Sequence, residues 1–114
     1  MAVAADKEYK MAKPIKIRAK VKDGVATVKC LISHIMETGT RRDSETGEVI
    51  PSHYIEEVTC EHKGKVVLKA NWGPAISKDP YMSFKFKGAA SGDIVKISWR
   101  DNRGESVTTE AKMR

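Results

Sequence analysis

Apolar and polar side chains alternate along most of this chain, and that alternation predicts short β-strands. Successive side chains on a strand point to opposite faces, so an apolar residue at every second position marks a half-buried strand. The pattern begins at Ile15 and recurs seven times, in the segments 15–21, 25–36, 54–60, 66–72, 82–86, 95–99 and 107–113. In the fourth segment, the predicted inward face comprises Val66, Leu68, Ala70 and Trp72.

Turn signals separate these segments, and no helical period is visible. They include Asp23-Gly24, Lys63-Gly64 and the segment 101–104, which are typical of tight hairpins. Seven short strands with frequent turns predict an all-β protein, an immunoglobulin-like antiparallel β-sandwich of about seven strands. A small open barrel is the alternative. Residues 1–13 have no sustained period and are interpreted as a flexible N-terminal tail, and residues 14–114 as one domain.

Two features of the middle of the chain suggest contacts beyond the core. One face of the second strand is only half polar, because Val25 and Leu31 share it with Thr27 and Lys29. A sheet face meant for water would not carry both apolar residues, so a second layer or another chain is expected to cover it. Residues 38–52 have no period, which predicts a long loop of the kind that is often functional.

The positive net charge of the chain says little about its function. The chain has 21 Lys and Arg against 15 Asp and Glu, a formal net charge of +6. The lysines alternate with apolar residues at strand spacing, which is typical of solvated sheet faces and not of a dense basic block. The N-terminal segment lacks the apolar stretch of a signal peptide, so none is expected. The apolar runs are also too short to span a membrane.

A metal-binding or thiol-binding site is one candidate chemistry. Cys60 and His62 are two residues apart on one side of a strand, and His34, His53 and Cys30 are candidates to converge on them. The spacings typical of zinc sites do not occur, so an ordinary core is the favoured interpretation. Cys30 and Cys60 are either a disulfide or two free thiols.

Catalysis and nucleic-acid binding are weaker candidates. Ser33 and His34 are neighbours, so on a continuing strand they would point to opposite faces and could not act as a pair. No phosphate-binding loop or nucleophile motif occurs, and an enzyme is not expected. A basic barrel using Tyr81, Phe84 and Phe86 to bind nucleic acid is an alternative. However, Phe84 and Phe86 alternate with lysines, as in an ordinary core strand.

Several segments together resemble the SoxZ family, which takes part in bacterial thiosulfate oxidation. The resemblance runs from about Pro14 to the end of the chain. Its most informative part, which we call the signature segment, is Leu31-Ile32-Ser33-His34-Ile35-Met36-Glu37-Thr38-Gly39. The other segments that carry it are Ile50-Pro51, Thr59-Cys60, Gly64, Ala75-Ile76-Ser77, Pro80-Tyr81, Trp99 and Gly104.

The resemblance implies a noncatalytic scaffold subunit of a sulfur carrier. Such subunits pair with SoxY, whose C-terminal arm carries sulfur intermediates on a cysteine. This chain ends in Glu110-Ala111-Lys112-Met113-Arg114 without such an arm, so it is expected to be the scaffold half. A thiosulfate-conjugating cytochrome complex and a sulfate-releasing hydrolase are expected to dock transiently. The resemblance implies no cofactor, and it implies a periplasmic location reached by export together with SoxY.

The segment from Ser33 to Arg42, which overlaps the signature segment, is expected to lie near the partner subunit or its arm. A polar segment beside a half-polar strand face is better explained by another chain than by core packing. Without its partner the chain is a candidate for self-association through that face. Arg41, Arg42, Lys78 and Arg103 are candidates for a basic docking surface. The hypothesised partner-binding residues are Val25, Leu31, Ser33, His34, Met36, Glu37, Thr38, Gly39, Arg41 and Arg42.

Overall fold

The computed structural model describes residues 13–114, and these residues form an all-β domain. Most of the predicted tail, residues 1–13, therefore lies outside the described residues. The described part contains no helix that could cross a membrane. Its seven strands are β1 (Lys16–Lys22), β2 (Val25–Leu31), β3 (Ile55–His62), β4 (Lys65–Asn71), β5 (Tyr81–Lys87), β6 (Ile94–Asp101) and β7 (Ser106–Lys112).

The strands form two antiparallel sheets that pack face to face. One sheet has the order β1-β2-β5 and the other has the order β4-β3-β6-β7. Inward residues of both sheets make the core between them, which includes Val28, Val58, Ile97 and Trp99 at 1% exposure or less. This is the layered architecture of an immunoglobulin-like sandwich, so the predicted fold class is confirmed.

Two hairpins have the tight turns that the sequence predicts. Asp23-Gly24 joins β1 to β2, and Lys63-Gly64 joins β3 to β4. All four residues have positive φ angles, between 53° and 77°. Two consecutive left-handed residues form the turn whose twist matches that of paired strands, and glycine at the second position makes it accessible. The local sequence thus sets the register of both hairpins.

The inward face predicted for β4 is wrong at its first residue. The register between β3 and β4 shifts between Cys60 and Glu61, so Leu68 lies opposite Cys60 while Val66 lies opposite Glu61. Such a bulge adds one residue to one strand and reverses the facing of the residues beyond it. Val66 is consequently 57% exposed, and Val67 packs against the core with Leu68.

Strand β2 ends at Leu31 and does not continue to residue 36 as predicted. Beyond it the chain is held by the segment before β5. Ile32 N–H donates to the Pro80 carbonyl at 3.0 Å, and His34 N–H donates to Asp79 Oδ1 at 3.0 Å. The Ile32–Pro80 bond continues the β2-β5 register by one pair at this end of the sandwich, and Met36, with a φ of 49°, breaks the extended backbone farther along. Burial still alternates through the segment, with Ile32, His34 and Met36 buried, Ser33 half-buried and Ile35 exposed, so Ser33 and His34 keep the alternation that the sequence predicts.

Candidate functional site

Three buried polar side chains meet at this end of the sandwich: His34, His53 and Asp101. His34 follows β2, His53 precedes β3, and Asp101 ends β6. Their exposures are 1%, 4% and 1%. Asp101 Oδ2 lies 3.1 Å from His34 Nε2 and 2.8 Å from His53 Nε2. We call this trio the clamp, because it ties three segments that are far apart in the sequence.

The Asp101 carboxylate accepts hydrogen bonds at both oxygens. Oδ2 faces the two imidazoles, while Oδ1 accepts from the backbone N–H of Arg103 at 3.0 Å and of Glu105 at 2.9 Å. Burial by itself would raise the pKa of this carboxyl group. The hydrogen bonds from His34, Glu105, His53 and Arg103 together outweigh burial and lower that pKa. Asp101 is therefore ionised at neutral pH and has its acceptor sites filled.

The protonation state of His34 follows from the hydrogen bond at its second ring nitrogen, Nδ1. Met36 N–H donates to His34 Nδ1 at 3.0 Å, so Nδ1 is the unprotonated nitrogen of a neutral imidazole. The proton is then on Nε2, from which it is donated to Asp101. Burial lowers the pKa of His34 below its ordinary value, and this outweighs the opposing effect of the hydrogen bond that His34 donates to Asp101.

The clamp atoms lie within 4.8 Å of one another, and two histidines with one carboxylate can bind a transition metal. The hydrogen bonds around His34 disfavour that use. A histidine that binds a metal through Nε2 carries its proton on Nδ1 and donates it to a neighbouring acceptor. Here Nδ1 faces the donor Met36 N–H instead. The arrangement fits a hydrogen-bonded structural clamp better than a metal site.

The set of metal ligands considered from the sequence does not come together. His34 and His53 converge with Asp101, and Cys30 lies near Cys60, but among the described residues the two pairs do not form one group. His62 lies elsewhere and pairs with Asp93 at 2.8 Å, which lowers the pKa of Asp93. The sequence indicates the third clamp residue, Asp101, only as part of a turn.

The two cysteines are buried free thiols in this structure, at 2% and 0% exposure. Burial raises the pKa of Cys30 to about 11. Burial and the proximity of Cys30 raise the pKa of Cys60 to about 12. Since the thiolate is the nucleophile and the metal ligand, both thiols are chemically quiet at neutral pH.

The clamp fixes the base of the long loop 38–52, which we call the finger. At the base, Glu37 and His53 exchange two backbone hydrogen bonds of 2.6 and 2.9 Å. Farther out, Arg42 pairs with Val49 in an isolated bridge. Residues 40–49 are all exposed. The finger is thus a solvent-facing extension on a rigid, buried root.

An ion pair reinforces the root of the finger. The Arg41 guanidinium donates to both carboxylate oxygens of Glu37, at 2.7 and 3.0 Å. This hydrogen bond lowers the pKa of Glu37. The forked geometry holds Arg41 against Glu37, because two parallel hydrogen bonds fix the guanidinium plane.

The residues expected to bind a partner divide into two groups in the structure. His34, Met36 and Glu37 are buried within this chain, so their side chains support the finger and offer no surface in this conformation. Val25, Ser33 and Gly39 are half-buried. The exposed members, for which partner binding stays a prediction, are Leu31, Thr38, Arg41 and Arg42.

Comparison with known proteins supports the fold and assigns the family. No curated protein matches the sequence. Solved structures of similar fold include two superoxide reductases. A superoxide reductase in the oxidised state has a TM-score of 0.56 at 14% identity, covering 89% of this chain and 87% of that chain. A reduced superoxide reductase (neelaredoxin) from Archaeoglobus fulgidus has a TM-score of 0.54 at 21% identity, covering 98% and 94%.

These identities are low, so the likeness concerns the fold alone. The family model described as sulphur oxidation protein SoxZ matches residues 15–112, which is nearly the whole described domain. The clamp residues, the finger and the signature segment all lie inside the match. The chain belongs to the SoxZ family, and its general role is in sulfur oxidation.

Proposed function

We propose that this chain is the noncatalytic scaffold subunit of a periplasmic sulfur-carrier heterodimer. Its partner is SoxY, whose C-terminal arm holds sulfur intermediates on a cysteine during thiosulfate oxidation. The observation that carries the proposal is the SoxZ family match over residues 15–112. The pathway enzymes dock on the heterodimer and act on the partner's arm. The pair reaches the periplasm together.

The chemistry of the described residues supports a noncatalytic role. The clamp is closed to solvent, and Asp101 already accepts four hydrogen bonds. The thiols of Cys30 and Cys60 are buried and have raised pKa values. A covalent carrier needs an accessible sulfur that ionises near neutral pH. Neither cysteine of this chain meets that requirement, so the sulfur-bearing group is assigned to the partner.

The finger is the element we assign to partner contact. Its root is held by the clamp and by the Glu37–Arg41 pair, whereas the hydrogen bonds of its outer part, such as Asp43 N–H to the Glu48 carbonyl at 2.8 Å, stay within the loop. A binding loop on a rigid base loses less conformational entropy on association than a free loop. This provides a physical reason for burying three polar groups beneath an exposed loop.

Co-expression with SoxY tests the proposal. Gel filtration with light scattering is expected to show a one-to-one complex, and calorimetry to give its affinity. Arg42→Glu is expected to weaken binding at least severalfold, because it reverses an exposed charge on the finger. The matched control is Lys65→Glu, which makes the same charge change at an exposed residue of β4. Failure to form any complex with SoxY contradicts the heterodimer. An unchanged affinity for Arg42→Glu removes the finger from the interface.

A further inference from the structure

The outer face of the three-stranded sheet carries an unusual concentration of positive charge. Its twelve outward positions form four rows across the strands, set by the β1-β2 and β2-β5 registers. Seven of the twelve are Lys or Arg, four from β1, one from β2 and two from β5, and none is Asp or Glu. We call this surface the basic face. Its cations are Lys16, Arg18, Lys20, Lys22, Lys29, Lys85 and Lys87.

On the four-stranded sheet, by contrast, basic residues lie next to acidic ones. On its outer face Lys69 pairs with Glu57 at 3.2 Å, and Lys96 lies directly opposite Glu110. Arg100 pairs with the neighbouring Glu56 at 2.6 Å. Opposite charges on neighbouring strands are the arrangement that stabilises a sheet. The basic residues of this chain are therefore segregated by sheet, and only the four-stranded sheet balances them.

The basic face weakens the isolated fold. Arg18 lies directly opposite Lys29, and like charges in that position are destabilising. Lys20 and Lys85 flank Thr27 in the next row. Among residues 13–114, no ion pair involves any of the seven cations. A local arrangement that costs stability without a compensating contact is a mark of a functional surface.

One end of the basic face is apolar. Leu31 lies opposite Tyr81, and they are 37% and 62% exposed. Together with Lys16, Arg18 and Lys29 they line a surface groove of about 330 Å³. An exposed tyrosine beside an arginine is a typical anchor of a protein interface. Tyr81 is the only outward aromatic residue among the twelve positions, whereas binding of single-stranded nucleic acid uses several stacking side chains along a basic groove.

We propose that the basic face is a docking site for an acidic surface of a transient protein partner, which deepens the proposed function. A permanent subunit interface is poor in lysine at its centre, so the lysine-rich middle rows of the face are unsuited to the stable heterodimer contact, whereas Leu31 and Val25 at its two ends stay predicted partner-binding residues. Concentrated charge of one sign instead accelerates encounter with an oppositely charged partner. The face thus attracts acidic docking partners while the finger holds the permanent one.

The test compares two charge reversals that change the net charge equally. Lys20→Glu/Lys85→Glu reverses the row around Thr27, and Lys65→Glu/Lys69→Glu reverses two exposed residues of β4. The control breaks the solvent-exposed Lys69–Glu57 pair and puts a second carboxylate beside Glu57, where Arg100 at 3.8 Å offsets it; exposed pairs of this kind contribute little to stability. Each variant is purified as the complex with SoxY. Association with the sulfate-releasing hydrolase and with the thiosulfate-conjugating cytochrome complex is measured by stopped flow over a range of salt concentrations. Short duplex DNA is the comparison probe.

At low salt, Lys20→Glu/Lys85→Glu is expected to slow association with at least one enzyme about tenfold and to flatten the salt dependence. The control is expected to stay within about twofold of the wild type. Equal rates for wild type and both variants overturn the proposal, and so does an equal slowing by both variants. Tight duplex DNA binding that is lost only in Lys20→Glu/Lys85→Glu, with enzyme association unchanged, assigns the face to nucleic acid instead. A chain that does not bind SoxY contradicts the proposed function before the basic face is tested.

Discussion

Replacing Asp101 by Asn tests the clamp with the smallest change of shape. The amide is nearly isosteric with the carboxylate but has one NH2 group in place of an oxygen. In one orientation that NH2 faces the two histidines, and in the other it faces the N–H groups of Arg103 and Glu105. Each orientation sets donors against donors. His34 cannot relieve the conflict by changing tautomer, because its Nδ1 accepts from Met36.

The magnitude follows from the number of bonds affected. Two hydrogen bonds to a buried charged acceptor are lost, each contributing about 1.5–3 kcal/mol, and buried donors are left without partners. Removing one member of a buried charged network typically costs about 3–5 kcal/mol. We expect Asp101→Asn to lower the free energy of unfolding by about 3 kcal/mol. For a domain of this size the melting temperature would fall by about 10–15 °C.

Urea unfolding followed by tryptophan fluorescence measures this difference, since Trp99 lies against His34 with ring centroids 5.1 Å apart. Ser98→Ala is the control. It removes an exposed hydrogen bond of 2.9 Å to Thr108 and is expected to cost less than about 0.5 kcal/mol. A loss below about 1 kcal/mol for Asp101→Asn would refute the clamp. EDTA should leave the wild-type urea midpoint unchanged, and a lower midpoint would contradict the tautomer argument against a metal.

Three further predictions concern pH, thiol reactivity and the root of the finger. Because burial lowers the pKa of His34 below 6.5, the unfolded chain takes up a proton that the folded chain does not. The free energy of unfolding should therefore fall as the pH drops below about 6.5, and it should fall less steeply with pH in His34→Gln than in the wild type. Equal pH dependence of the two proteins in urea titrations would contradict this. Cys30 and Cys60 should react with iodoacetamide far more slowly in the folded protein than in the urea-unfolded protein, because burial raises their pKa values to about 11 and about 12. Intact mass measures the extent of alkylation. Rapid alkylation of the folded protein would contradict buried thiols. Gly39 and Gly47 both have positive φ, but of the two only Gly39 is so placed that an added Cβ would contact Ser52, at 3.0 Å. Gly39→Ala should therefore lower the melting temperature more than Gly47→Ala does. Equal losses in thermal melts would argue against the close contact.

Local sequence pattern was sufficient to predict the strands of this protein. An alternation of apolar residues reports burial of one face, and turns such as Asp23-Gly24 report where a hairpin closes. The facing of Val66 could not be obtained in this way, because the bulge opposite Cys60 is a property of two paired strands. The end of β2 was missed for a similar reason. It depends on where the partner strands stop pairing with Leu31, at Lys16 of β1 and Tyr81 of β5.

The clamp and the basic face depend on contacts between distant parts of the chain. Aspartate is common at the start of a tight turn, so the turn alone explains the residue type at Asp101. Its contacts with His34 and His53 therefore have no separate signal in the sequence. A histidine set among apolar residues, as His34 is between Ile32 and Met36, was the available hint. The alternating lysines of β1 and β5 were visible in the sequence. That both strands flank β2, and so share one face, is known only from the sheet order.

The intact mass of both subunits after sulfur loading tests the central claim most directly. The chain is purified with SoxY, and masses are recorded before and after adding thiosulfate and the conjugating enzymes. The account predicts a one-to-one complex in which only the partner gains sulfur mass, since Cys30 and Cys60 are buried and have raised pKa values. Sulfur mass on this chain, or no complex with SoxY, would contradict the scaffold role.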